Sequence, residues 1–76
     1  MRKSKKLRTL VKQAGMGNPR AAYLLGIRYQ LGHGFPQDIS KSAEWISFSA
    51  VLGYPPALEW IKDYAFDDDA RTQANA

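Results

Sequence analysis

The side chains able to do chemistry are few, and they stand apart from one another. His33 is the only histidine in the 76 residues and sits between Gly32 and Gly34. A zinc site needs three or four ligands, and a proton-transfer pair needs both groups within hydrogen-bond reach. No second histidine, cysteine or carboxylate stands at ligand spacing from His33, which therefore reads as an exposed loop residue. A phosphate loop would need a preceding strand with further glycines, or a Gly-Lys-Ser ending, and Gly32-His33-Gly34 has neither. A turn with positive φ accounts for both glycines. Asp67-Asp68-Asp69 carries charge enough for a hard cation. Calcium loops, however, interleave their carboxylates with a central glycine and a distal glutamate, which are missing here. With no nucleophile, acid–base pair or ligand set to assemble, the expectation is a non-enzyme without metal, cofactor or small-molecule substrate.

Charge is distributed unevenly. Residues 1–12 hold Arg2, Lys3, Lys5, Lys6, Arg8 and Lys12, six of the eleven basic side chains, and no acid. Five of the seven acids are Glu59, Asp63 and Asp67 to Asp69, and the net charge is +4. Basic side chains neutralise phosphates and release counterions, which makes the N-terminal arm a candidate for nucleic acid or an acidic surface. Single-strand binders add aromatic stacking platforms, and residues 1–22 contain no aromatic residue. A solvated, charged terminus is the simpler account.

Seventy-six residues make one small domain, which buries only about 60% of the surface its unfolded chain exposes. The chain has no cysteine, hence no disulfide and no thiolate. Its basic start resembles the charged region of a signal peptide, but Arg8, Thr9 and Lys12 interrupt the stretch that would have to be apolar. No run approaches the roughly 20 apolar residues of a membrane span. These features predict a cytoplasmic protein with no membrane association.

The elements that position these side chains follow an internal period. A shift of 36 residues lays Ala14-Gly15-Met16-Gly17-Asn18-Pro19-Arg20-Ala21 on Ala50-Val51-Leu52-Gly53-Tyr54-Pro55-Pro56-Ala57, with alanine, glycine, proline and alanine coinciding. Ser4-Lys5 falls on Ser40-Lys41, and Leu24-Leu25 on Trp60-Ile61. Gly17 and Gly53 suit the left-handed residue that closes a helix, while Pro19 and Pro55 suit the first turn of the next. The spacing predicts helices over 4–15, 19–31, 39–52 and 55–66. The loop Gly32 to Asp38 separates the middle pair, with Asp38 or Ser40 capping the third helix. On that helix Ala43, Ile46 and Ala50 form the expected apolar stripe, with Ser42, Trp45 and Ser49 alongside. No segment alternates in the manner of a half-buried strand, and 67–76 reads as an acidic, then polar, disordered tail.

Ala21, Leu25-Gly26, Tyr29, Gly32, Gly34, Asp38, Trp45, Ala50 and Gly53 together resemble the Sel-one-like repeats, relatives of the tetratricopeptide repeats. Phe35-Pro36-Gln37-Asp38 is likewise similar to that family's loop. The match covers Pro19 to Gly53 well and Tyr54 to Phe66 partly; in the first helix Lys6 stands where a small residue belongs and Thr9 where tryptophan would be. The resemblance implies an all-α, right-handed α-solenoid fragment of four helices within residues 1–66, one full helix–turn–helix repeat with flanking half-repeats. It also implies an adaptor that binds protein, and no catalytic residue.

Against that pattern, Phe48, Val51 and Leu52 are apolar where the family is usually polar, and Leu24 and Trp60 depart in the same sense. Phe48, Val51 and Leu52 stand at i, i+3 and i+4, and Trp60 and Tyr64 repeat the i, i+4 spacing. Either other helices fold over this cluster, or it meets a partner, a second copy or another protein.

Overall fold

Four helical segments fill most of residues 5–63, the part of the chain that this computed structural model describes. They are α1 (Lys5–Gly15), α2 (Pro19–Leu31), α3 (Ile39–Val51) and α4, helical over 55–63. No strand occurs among the described residues. The expected boundaries hold within a residue or so, up to the last described position. The residues of the expected tail, 67–76, lie outside that range.

Local chemistry explains where each helix starts and stops. Gly17 and Gly53 take φ of +95° and +89°, closing α1 and α3 as the glycine–X–proline spacing predicts. Pro19 opens α2, and the Asn18 side chain accepts from the Ala21 N–H at 3.1 Å. Asp38, rather than Ser40, caps α3 by accepting from the Lys41 N–H at 3.0 Å. At the far end of α2, Gly32 is left-handed and its N–H donates to the Arg28 carbonyl.

Three helices pack around α2. Leu7 and Ala14 of α1 join Ala21, Ala22 and Leu25 of α2 in one buried cluster, closed by Phe35 from the loop and flanked by Leu10, Tyr29 and Trp45. The α2–α3 contact is much closer. A Cβ placed on Gly26 would lie 2.5 Å from Ile46 Cγ1 and 3.0 Å from the Ser42 carbonyl oxygen. Ser49 donates to the Pro19 carbonyl at 2.6 Å, so the end of α3 meets the start of α2 and the two helices run antiparallel. On α4, Trp60 Nε1 donates to Gln30 Oε1 at 3.3 Å, and Tyr54, just ahead of it, sets its ring 5.5 Å from that of Tyr23. These two contacts lie in the same order along both chains, so α4 runs alongside α2 in the same direction.

The buried stripe of α3 differs from the apolar one expected. Ser42, Ile46 and Ser49 are buried, whereas Ala43, Ala50 and Trp45 are only half-buried. Close approach across Gly26 favours short side chains at Ser42 and Ser49, and the Ser49 hydroxyl also finds an acceptor in the Pro19 carbonyl.

Candidate interaction surface

The exposed side of α3 follows from its register. With Ser42, Ile46 and Ser49 turned to α2, the positions Lys41, Trp45, Phe48 and Leu52 (i, i+4, i+7, i+11) form an adjoining stripe. Trp45 leans onto the core cluster and Phe48 meets its edge, ring centroids 6.1 Å apart and planes at 70°. Tyr29 of α2 stacks on Phe35 at 4.7 Å, and Lys41 Nζ lies 5.6 Å from the Tyr29 ring centroid. Tyr29, Lys41, Glu44, Trp45 and Phe48 line an open groove of about 350 Å³. Its floor is aromatic, and its two charged side chains are of opposite sign.

The expected contact residues separate in the structure. Phe48 is 37% exposed, Leu52 41% and Val51 84%, so no described helix covers this part of the cluster. Trp60 is half-buried, and its indole is engaged with Gln30 of α2. Tyr64 lies outside the described residues. The pattern residues have structural roles. Ala21, Leu25 and Gly26 are buried, and Tyr29, Trp45 and Ala50 are half-buried. Gly32, Gly34 and Gly53 hold positive φ, and Asp38 caps α3.

Elsewhere, His33 is exposed, and among the described residues no three potential metal-ligating side chains come together. Lys5, Lys6, Arg8 and Lys12 are exposed along α1, while Arg2, Lys3 and Asp67 to Asp69 lie outside the described residues. No described helix is long and apolar enough to cross a membrane.

A second groove, of about 390 Å³, opens between α1 and α2, lined by Leu7, Leu10, Leu24, Ile27 and Leu31 together with Lys6, Arg28 and His33. Reading the sequence for chemistry overlooks this site. Leu24 is the one signal of it, an apolar residue where the resemblance described above leads one to expect a polar one.

The fold and surface define an all-α protein of four short helices that presents apolar grooves. Against known protein families, characterised proteins and solved structures, the chain has no match.

Proposed function

We propose that this chain is a non-catalytic protein-interaction module of the Sel-one-like repeat type, working in the cytoplasm, and that the outer stripe of α3 is where its protein partner sits. One observation carries the proposal: Phe48 and Leu52 stand exposed beside an aromatic-floored groove, although neighbouring positions of the same helix are fully buried. Aromatic side chains half-sunk in such a groove are typical anchors of protein contacts. The repeat assignment is supported by the 36-residue correspondence, by the left-handed glycines at its two punctuation points and by the helix order.

The test is affinity capture from the native cell with wild type and Phe48→Glu in parallel, each first shown to have the same helical circular dichroism. Proteins held by wild type and lost from the variant are the expected result. Identical captured sets would overturn the reading. With a partner in hand, Phe48→Ala is expected to weaken association by about 2 kcal/mol. Sedimentation of the same pair tests the version in which the partner is a second copy.

A second reading is favoured by α1, where the exposed Lys5, Arg8 and Lys12 fall at i, i+3 and i+7 on a helix without an acid. Such a stripe could meet nucleic acid or an acidic surface. Binding through it would fall steeply with salt, whereas binding through the α3 stripe would hardly weaken.

A further inference from the structure

The groove between α1 and α2 is the counterpart of a seat that the chain fills itself. Helix α2 lies against both α3 and α4: Ser42 and Ile46 bound the space beside Gly26, Ser49 donates to the Pro19 carbonyl, and Trp60 donates to Gln30. The residues 36 positions earlier are Lys6, Leu10, Gln13 and Leu24. Lys6, Leu10 and Leu24 line the α1–α2 groove, and Gln13 shares an exposed face of α1 with Lys6 and Leu10. No described helix covers this groove, where Leu24 is 37% exposed and Leu31, farther along α2, 56%. What fits such a seat is a helix, as α2 fits α3 and α4.

The two seats differ in charge. At Ser42 a short neutral side chain lets α2 come close, whereas its counterpart Lys6 carries a charge, and Arg28 and His33 line the same groove. Among the described residues, no acidic side chain lines it. Lys5 and Lys6 also stand in the first turn of α1, where the helix dipole favours carboxylates over lysine. A wholly apolar occupant would strip water from Lys6 and Arg28 without replacing it, which costs free energy. Carboxylates would pair with them through charge-assisted hydrogen bonds. Leu24, Ile27 and Leu31, at i, i+3 and i+7 on α2, form an apolar stripe about two turns long, joined by Leu7 and Leu10 of α1.

We propose that the α1–α2 groove binds an acidic amphipathic helix of another protein. Its apolar stripe lies on Leu10, Leu24, Ile27 and Leu31, and its carboxylates meet Lys6 and Arg28. A second copy of the chain suits the groove less. Its α4, the counterpart of α2, carries Lys62 at the place of Gly26, which would set that lysine against Lys6, the counterpart of Ser42. The site is separate from the α3 stripe, and neither depends on the other.

Three fluorescent peptides of about four helical turns test this against the full chain. One carries leucines at i, i+3, i+4 and i+7 flanked by glutamates; the second has lysines for the glutamates, and the third alanines for the leucines. The glutamate–leucine peptide is expected to bind about tenfold tighter than either of the others, and Leu24→Ala to weaken it about tenfold. In nitrogen-15 spectra it should shift the amides of Leu10, Leu24, Ile27 and Leu31, and Phe48→Glu should leave its affinity unchanged. Lys6→Glu should abolish the preference for glutamate, and adding Arg28→Glu should reverse it. Lys6→Glu places a carboxylate in the first turn of α1, so helical circular dichroism should be retained. Equal binding of the glutamate and lysine peptides to wild type overturns the proposal. So does equal binding of the alanine peptide, which would mark a merely basic surface, and so does the absence of binding by all three. Amide shifts confined to Trp45, Phe48 and Leu52 also overturn it, while upholding the α3 stripe as a partner's seat. Sedimentation of the chain alone covers the remaining case. A dimer that Leu24→Ala dissociates assigns the groove to a second copy and overturns the proposal; a monomer upholds it.

Discussion

Helices α1 and α3 occupy the same phase of the 36-residue period, yet the same faces meet different surroundings. Ser42, Ile46 and Ser49 of α3 correspond to Lys6, Leu10 and Gln13 of α1. The α3 set is buried against α2, whereas Lys6 and Gln13 are exposed and Leu10 is half-buried. Helix α2 differs from α4 in the same way. Gly26 lets α3 come close, and the position 36 residues later is the exposed Lys62. A period thus fixes where helices begin and how they are phased. Which face becomes core is decided by whether another helix lies against it, and Gly26 stands where α3 does.

The contrast between Gly26 and Lys62 offers the largest effect. The nearest atoms to a Cβ on Gly26 are Ile46 Cγ1 and the Ser42 carbonyl oxygen, and neither is the free end of a flexible chain. Alanine gains about 1 kcal/mol of helix propensity over glycine, and overpacking costs about 1–3 kcal/mol, so Gly26→Ala should cost about 0–2 kcal/mol net. Gly26→Leu adds three further carbons to the same gap and should cost about 3 kcal/mol or more, a large share of what a domain this small has. Lys62→Leu, in the same register, should leave stability within about 0.5 kcal/mol. Urea unfolding of the three variants checks this, and equal losses at Gly26 and Lys62 would break the comparison.

Truncating the central residue of each equivalent face comes next. Ile46 has no exposed surface, and Ile46→Ala should cost about 2–5 kcal/mol. Leu10 is half-buried and edges the open α1–α2 groove. Leu10→Ala removes a similar volume but is expected to cost about 1 kcal/mol, because much of that side chain already meets water. Comparable losses at the two positions would mean that α1 is covered in solution.

The ease of reading the sequence followed the same division. Helix ends were legible because their signals are local: Gly17, Pro19, Gly53 and Pro55 act through backbone geometry that needs no neighbour, and Asp38 was one of two caps expected. Asn18 caps α2, and its residue type and its place before Pro19 carry that signal too. The candidate surface was partly legible. Phe48, Val51 and Leu52 are apolar where the resemblance leads one to expect polar residues, and they are exposed. Trp60 shared that signal but lies against α2, because amphipathic spacing does not say on which side a neighbour lies. Hydropathy also favoured Ala43 and Ala50 over Ser42 and Ser49 for the α3 core. Burial of Ser42 and Ser49 follows from how closely α2 approaches that side of α3, and a single sequence does not display that.

The two serines of that stripe give the smallest and sharpest effect. Both are buried on α3, and Ser→Ala makes the same change in helix propensity at each, a few tenths of a kcal/mol. Their hydroxyls differ. Ser49 donates to the Pro19 carbonyl at 2.6 Å across the α2–α3 contact, whereas the Ser42 hydroxyl has no hydrogen-bond partner among the described residues. Losing an intramolecular hydrogen bond costs about 1 kcal/mol, and removing a buried group that was never paired returns its desolvation penalty instead. Ser49→Ala should therefore lower stability by about 1 kcal/mol, which in a domain of this size is roughly 4–8 °C in Tm. Ser42→Ala should leave Tm unchanged or raise it by a few degrees, because the alanine methyl fills nearly the same space without an unmet hydroxyl. Thermal melts of the two single variants and the double variant measure the difference with the propensity change cancelled. Equal destabilisation by both would show that the Ser42 hydroxyl has a partner in solution, such as a bound water, and that the two buried serines are equivalent after all.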